Sequence, residues 1–317
     1  MILRSTLILT LKGRSFYLQL LTDTVIFELL QELDLPYSNV VYASGGGFYL
    51  LAPNTTAVVN KIKGFAKRIT AQLFARHADN LSISIDAIPF TGNTVQSTDG
   101  IKDLWRDLAL KISFGKSAKF KLLITEDPSA FFEPASFDPD AKRDAITGQP
   151  IKGTPIRIDS NEQESYLSAV NHSILELGAR LRNTDYIVLA PHPIAYWNSQ
   201  DVFCIRPLES DTCWYLFSKE KHQSLKEKLK GSADFVIVSE LNSFNMQMAG
   251  DFGPRAAARI MLYGGNDFPA EPDGSPKTFE DLCKYPETGY EKLGILRMDV
   301  DGLGTLFKQG FQKNIFY

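Results

Sequence analysis

Residues 39–51 read NVVYASGGGFYLL: a β-branched and aromatic run, three glycines, then a second aromatic and aliphatic run. Two short strands joined through a glycine turn predict a β-hairpin. Upstream, residues 14–34 place Phe16, Leu20, Val25, Leu29, Leu30 and Leu33 near helical spacing. Leu35-Pro36 closes that helix, because a residue before proline avoids the helical region. Downstream, residues 53–56 (PNTT) offer a turn and a helix N-cap. The helix that follows, over 56–78, buries Val58, Val59, Ile62, Phe65, Ile69 and Leu73, and its other face carries Lys61, Lys63, Lys67 and Arg68. Residues 81–90, LSISIDAIPF, alternate strictly and predict a strand. Helix, hairpin, helix, strand is a β-α-β-β-α-β unit without its first strand. The run 6–11, followed directly by Lys12-Gly13, leaves little room for that strand.

Further along, residues 99–114 predict an amphipathic helix through Ile101, Leu104, Trp105, Leu108 and Ile112. Lys116, Lys119 and Lys121 surround a predicted strand over 120–124. Residues 126–165 are rich in Pro, Asp and Gly and read as loops, and a helix is expected over 162–181. Four apolar runs, 186–189, 202–205, 214–217 and 235–238, predict strands of an α+β middle region. Residues 264–292 are again loop-like. The closing stretch, 293–304 (LGILRMDVDGLG), is an apolar strand ending in two carboxylates and a glycine turn, with a helix start at Thr305.

The chain has 317 residues, enough for about two domains. Its net charge of -3 does not advertise nucleic acid, so any such contact must be local or come through partners. Three cysteines, none in a C-x-x-C pair, fit a reducing compartment rather than a disulfide framework. The four histidines are scattered without zinc-ligand spacing. No signal peptide and no run near the ~20 apolar residues of a membrane span is present, so a soluble cytoplasmic protein is expected.

Asp299 and Asp301 lie two residues apart on a strand and face the same side, with Val300 opposite. Paired carboxylates suit Mg or Mn ions, which take oxygen ligands; a D-x-D that merely caps the next helix is the alternative. At Ser44, Gly45, Gly46 and Gly47, the missing Cβ atoms let backbone approach a ligand closely, unless turn geometry alone demands them. Gly264, Gly265 and Asn266 offer a similar approach point or only a turn. The lysines at 61, 63, 67, 116, 119 and 121, like Arg255 and Arg259, either meet phosphate or are solvated faces. The cysteines read as small core groups.

The blocks GRSFYLQLL, VVYASGGGFYLLAPNT and LSISIDAI resemble the first palm domain of the large subunit of type III-A CRISPR (Csm) effectors. KSAKFKLL and the middle section resemble that family's inter-palm domain, and YGGNDFP, KTFEDL and KLGILRMDVDGLGTLFKQGF its entry into a second palm. The resemblance covers nearly the whole chain. It implies an α+β fold: a ferredoxin-like palm lacking its first strand over 1–115, an α+β middle domain over 116–290, and the first strand and helix of a second palm over 291–317. It further implies ATP held between the palms, facing Ser44 to Gly47 and 264–266, with Mg or Mn on Asp299 and Asp301. Family members convert ATP to cyclic oligoadenylates and cleave single-stranded DNA through an HD domain. They assemble on crRNA and target RNA with other Csm subunits, especially the small and the crRNA 5′-end-binding ones, and without a membrane.

Several departures bear on this chain. Palm polymerases and cyclases carry metal acids at the hairpin, as Gly-Gly-Asp-Asp or Gly-Gly-Asp-Glu-Phe; here Gly47-Phe48 stands in their place. No adjacent His-Asp pair is present, the second palm stops before its own hairpin, and RDAITGQPIKG (143–153) lacks the zinc cysteines of some relatives. The chain is therefore expected to be truncated at both ends and inactive alone, whether as part of an ATP-using enzyme or as a non-catalytic scaffold subunit of the crRNA ribonucleoprotein. A diguanylate-cyclase relative fits less well, because the Gly-Gly-Asp-Glu-Phe signature is absent.

Overall fold

The computed structural model describes residues 2–132, 140–160, 163–194, 202–218, 220, 222–230, 235–263, 269, 271–272, 277, 279–284 and 292. The chain divides into two compact units, residues 1–87 with 114–263, and residues 88–113 with 264–317.

In the first unit, helix α1 (Ile2–Leu33) is the spine. Tyr17, Leu21, Ile26 and Phe27 are buried as well as the six residues that the spacing selects. The buried stripe is thus broader than the spacing selects, and the helix takes in the run 6–11 as well. It ends at Leu33, where Asp34 adopts a left-handed φ of 54° and the Leu35 amide bonds back to Leu30 O. Strands β1 (Val40–Ser44) and β2 (Gly47–Leu50) form the expected hairpin. Helix α2 (Thr56–His77) is capped by Thr55, whose hydroxyl accepts from the Val58 amide, and buries Ile62, Phe65, Ile69 and Leu73.

The segment 81–90 belongs to no ladder. Its alternation is nevertheless expressed: Leu81, Ile83, Ile85 and Ala87 pack against the core. A period of two fixes which side chains turn inward, whereas a strand also needs a neighbouring edge to bond, and none lies beside it among the described residues. Helix α3 (Thr98–Ser117) spans the two units. The expected strand at 120–124 is instead helix α4 (Lys121–Glu126), because Phe120 turns left-handed, at φ 59°, and restarts the chain as a helix.

Residues 126–165 hold more structure than loops: α5 (Pro128–Phe132), β3 (Ile156–Ser160) and the start of β4 (Gln163–Leu167), which pair antiparallel. The helix expected from 162 begins later, as α6 (Ala169–Arg180), where Ser168 caps it by accepting from the Asn171 amide.

The four apolar runs are strands: β5 (Tyr186–Ala190), β6 (Phe203–Ile205), β7 (Cys213–Phe217) and, after α7 (His222–Lys230), β8 (Val236–Glu240). The short β9 (Ala256–Ala258) completes a sheet of order β6-β7-β5-β8-β9, antiparallel except for β8-β9. β7 and β8 thus run parallel with β5 between them and α7 in the connection, a split β-α-β arrangement.

Strands β5 and β7 are buried on both faces. One face (Ile187, Leu189, Trp214, Leu216) packs with α1, α2 and α6; the other (Val188, Tyr215, Val238) packs with Leu229, Met248 and Phe252. Trp214 ties sheet to spine: its Nε1 donates to Thr24 Oγ1 at 2.8 Å, and that hydroxyl donates to Leu20 O.

Of the second unit, the described elements include α3 residues 98–113 and the short helix α8 (Phe279–Cys283), in a region that reads as loop. Among the described residues, no helix is long and apolar enough to cross a membrane.

Candidate functional site

The hairpin turn is built by register. Ser44 pairs with Gly47, Ala43 with Phe48 and Tyr42 with Tyr49. Gly45 (φ 60°) and Gly46 (φ 77°) occupy the two central positions, the left-handed pair that a two-residue hairpin turn requires. Turn geometry therefore accounts for these two glycines, but not for Gly47. Gly47 has ordinary strand geometry, and a Cβ there would meet only Ser44 O at 3.7 Å. A Cβ on Gly45 or Gly46 would meet nothing within 4 Å among the described residues, so the turn is exposed. The base is closed by Asn39, whose Nδ2 donates to Leu51 O at 2.8 Å while its own carbonyl accepts from the Leu51 amide.

Behind that base sits a buried ion pair. Arg259 Nη2 donates to Asp23 Oδ1 at 2.7 Å, and the guanidinium lies 5.6 Å from the Tyr37 ring, in the turn that leads into β1. Asp23 is 4% exposed and its Oδ2 has no hydrogen-bond partner among the described residues. Burial pushes its carboxyl above the ordinary value, against the pull of Arg259. Arg259 is thus committed to a carboxylate rather than to phosphate. Asp23 was absent from the sequence candidates, though an acid between Leu20 and Val25, two of the positions that the spacing buries, was a usable signal.

A second polar cluster ties α1 to the end of α2. Tyr17 Oη donates to Pro207 O, so His77 Nε2, 2.9 Å from the same hydroxyl, is the protonated nitrogen and donates to it. Burial, with help from Arg76 and Arg14, lowers the His77 pKa to about 4. A depressed histidine stabilises the fold above its unfolded value of about 6.5 and loses that contribution as pH falls through about 4. In urea titrations, His77→Gln is expected to flatten the stability loss between those two pH values; an unchanged slope would count against a buried neutral imidazole.

The loop 143–150 is organised by one carboxylate. Asp144 Oδ1 accepts from the Ile146 and Thr147 amides, and Oδ2 from the Ser168 amide and Asn171 Nδ2. Burial alone would raise this acid, but hydrogen bonds from Ser168, Asn171 and Ile146 bring it below its ordinary value.

The other candidates divide three ways. Gly264, Gly265, Asn266, Asp299 and Asp301 lie outside the described residues. Among the described residues, no group of three or more His, Cys, Asp or Glu could hold a metal ion. Of the α2 cations, Lys61 donates to Glu32 O, Lys67 pairs with Glu126 and Arg68 with Glu32. All three cysteines are free: Cys213 is a core group as expected, whereas Cys204 is exposed at the sheet edge. A hydrogen bond between the two raises the Cys204 thiol and lowers that of Cys213.

Comparison with known proteins adds three findings. A family model described as Csm1 subunit domain B matches residues 6–135. The subtype III-A single-strand-specific deoxyribonucleases Cas10/Csm1 of Enterococcus italicus and Methanocaldococcus jannaschii are 24% and 25% identical to this chain. Each match covers 95% of the chain but only 35% and 38% of those proteins. The chain therefore spans little more than a third of their length.

Among solved structures, Csm1 in the Csm1-Csm4 subcomplex of the type III-A interference complex aligns over 95% of this chain and 33% of its own. The TM-score is 0.60 at 20% identity. Csm1-Csm4 cassettes in complex with one ATP and with cA4 also reach 0.60, at 20% and 19% identity and with like coverage. Residues 6–135 thus match a Csm1 domain, and over nearly its full span the chain is similar in sequence and in fold to the Cas10/Csm1 proteins of the subtype III-A CRISPR system.

Proposed function

We propose that the chain contributes the first palm and the inter-palm region of a type III-A effector large subunit, and that it faces ATP with the hairpin turn at Ser44 to Gly47. The observation that carries this is Gly47: turn geometry explains its two neighbours and leaves it unexplained, unless a ligand needs the space above its Cα. The palm assignment covers residues 1–115, in the order α1, hairpin, α2, extended segment. In a β-α-β-β-α-β sheet the first strand lies between the hairpin and the last strand. Among the described residues no strand joins the hairpin to residues 81–90, and that segment keeps its alternation but makes no ladder.

Residues 116–290 are then the middle domain, and 291–317 the opening of a second palm. There Asp299 and Asp301 would hold Mg or Mn, and 264–266 would approach the nucleotide. The bound ion would neutralise phosphate charge. This chain's own share is to position the nucleotide through backbone, because Gly47-Phe48 leaves no acid at the first turn. The full protein would make cyclic oligoadenylates from ATP and cut single-stranded DNA through an HD domain. It would act in the cytoplasm with crRNA, target RNA, a Csm4-type subunit and the small subunits. The ATP and cA4 complexes of structural relatives support the nucleotide part.

The test is co-purification with a Csm4-type subunit, followed by titration with AMPPNP. Gly47→Val is expected to weaken binding about tenfold, or about 1.4 kcal/mol, while chain stability changes by less than roughly 0.5 kcal/mol. If the complex binds AMPPNP and the variant binds it equally well, the hairpin does not face the nucleotide. If the complex binds none, the scaffold role replaces the ATP-using one.

A further inference from the structure

Cys204 lies in β6, the three-residue strand at one edge of the sheet, and Cys213 opens the neighbouring strand β7. In the antiparallel register Cys204 stands opposite Tyr215. Side chains alternate along a strand, so Cys213, two residues before Tyr215, lies on the same face. The two cysteines are therefore diagonal neighbours on one face of the sheet. Their thiols meet: Cys204 donates a hydrogen bond to Cys213, and the Cys213 thiol donates in turn to Asp211 O at 3.0 Å.

The two sulfurs differ in access. Cys204 is exposed, whereas Cys213 is buried. Cys204 also lines an open cavity of about 530 Å³, together with Arg76 and Arg206. The hydrogen bond between the thiols raises that of Cys204 and lowers that of Cys213, and the charge of Arg206 pulls both down. An accessible thiol beside a cation, with a second thiol in reach to resolve it, is the arrangement that oxidants select.

The hairpin can take up the movement that a bond requires. A disulfide brings Cβ atoms to about 3.5–4.5 Å, closer than diagonal neighbours usually lie. The strand that must shift is β6, which is hydrogen-bonded on one side only. The connecting loop is fixed elsewhere: Tyr17 Oη donates to Pro207 O, Gln72 Nε2 to Glu209 O and Ser210 Oγ to Glu28 Oε1. A bond closed against that resistance is easily reduced again.

We propose that Cys204 and Cys213 form a reversible disulfide across β6 and β7 in response to hydrogen peroxide. Cys204, as thiolate, attacks one peroxide oxygen; the O–O bond breaks, and hydroxide leaves with the thiol proton as water. Cys213, as thiolate, then attacks the sulfenic acid on Cys204. The S–S bond forms, the S–O bond breaks, and a second hydroxide leaves with the Cys213 proton as water. Two thiols and one peroxide thus give one disulfide and two waters, with two electrons passing from sulfur to peroxide. Transient bonds of this kind are compatible with a reducing compartment.

The experiment treats the reduced full chain with excess hydrogen peroxide in the absence of denaturant. The chain is then unfolded in an alkylating reagent and cut by a Glu-specific protease, whose cleavage at Glu209 separates the two cysteines. Mass spectrometry is expected to find Cys204 linked to Cys213, Cys283 alkylated, and both thiols restored by dithiothreitol. Cys213→Ser is expected to leave a sulfenic acid on Cys204 that dimedone captures, an adduct largely lost in wild type. Cys204→Ser, at the exposed position, is expected to leave Cys213 alkylated after peroxide.

Both cysteines alkylated in oxidised wild type would overturn the proposal. So would a bond from either one to Cys283 or to a second chain, or oxidation of Cys213 in the Cys204→Ser variant. Circular dichroism follows the same reaction, and a bond that forms only as the folded spectrum is lost overturns it as well.

Discussion

Gly13→Ala is expected to destabilise the first unit by about 3 kcal/mol, at the upper end of overpacking costs. An added Cβ would lie 2.1 Å from Ile174 O and 3.0 Å from the Gly178 amide nitrogen. Both are backbone atoms of α6, so no side chain can rotate away. Helices α1 and α6 cross backbone to backbone at Gly13 and Gly178, and a methyl group there must push them apart. Because α1 carries much of the core and also supports the sheet through Thr24 and Trp214, the displacement spreads into the core. Thermal unfolding should fall by roughly 6–12 °C. The matched control is Gly64→Ala on the exposed face of α2, where a Cβ meets nothing within 4 Å. Relieved of glycine's helix penalty, that variant should gain roughly 0.5–1 kcal/mol. Equal effects of the two changes would refute the close crossing.

The same helix shows what could be read in advance. Helical spacing over 14–34 located α1 and most of its buried positions, because periodicity is local. It did not show that Tyr17, Leu21, Ile26 and Phe27 are buried too, since the width of the buried stripe is set by what surrounds the helix. The four strands β5 to β8 were legible as apolar runs bounded by polar segments, and so was the hairpin from its glycines. The mistakes fall where a short signal met a longer-range condition. Residues 81–90 alternate as a strand does but have no edge to join among the described residues. Residues 120–124 look like a strand until the left-handed Phe120, packed between two other phenylalanines, turns the chain into α4. The small-residue spacing after 162 masked a switch from strand to helix that Ser168 marks with its cap.

The candidate site was legible in its glycines and not in its support. Gly45, Gly46 and Gly47 are visible in the sequence, but which of them the turn requires is decided by two φ angles. The pair that steadies the base of the hairpin joins residues 236 positions apart, and no local pattern links Asp23 to Arg259. Arg259 read as one more surface cation because its partner lay on a distant helix.

That pair carries the second large expectation. Arg259→Met keeps the length and packing of the side chain but leaves the Asp23 carboxylate buried and uncompensated, which should cost about 3–5 kcal/mol. Most of the loss should return in the double variant Asp23→Asn, Arg259→Met, where no charge is buried. The pH dependence follows from the sign of the shift. Burial already holds the Asp23 carboxyl above its ordinary value, and Arg259 opposes that rise. A carboxyl raised in the folded state stabilises fully below the unfolded value near 3.8 and loses its contribution as pH rises through the folded value. Removing Arg259 moves the folded value further up, so the deficit of the single variant should be smaller in mildly acidic buffer than above neutrality. Urea unfolding at both pH values measures it. A deficit that is the same at both, or that Asp23→Asn fails to relieve, would mean that the guanidinium acts by packing on Tyr37 and not by neutralising a buried charge.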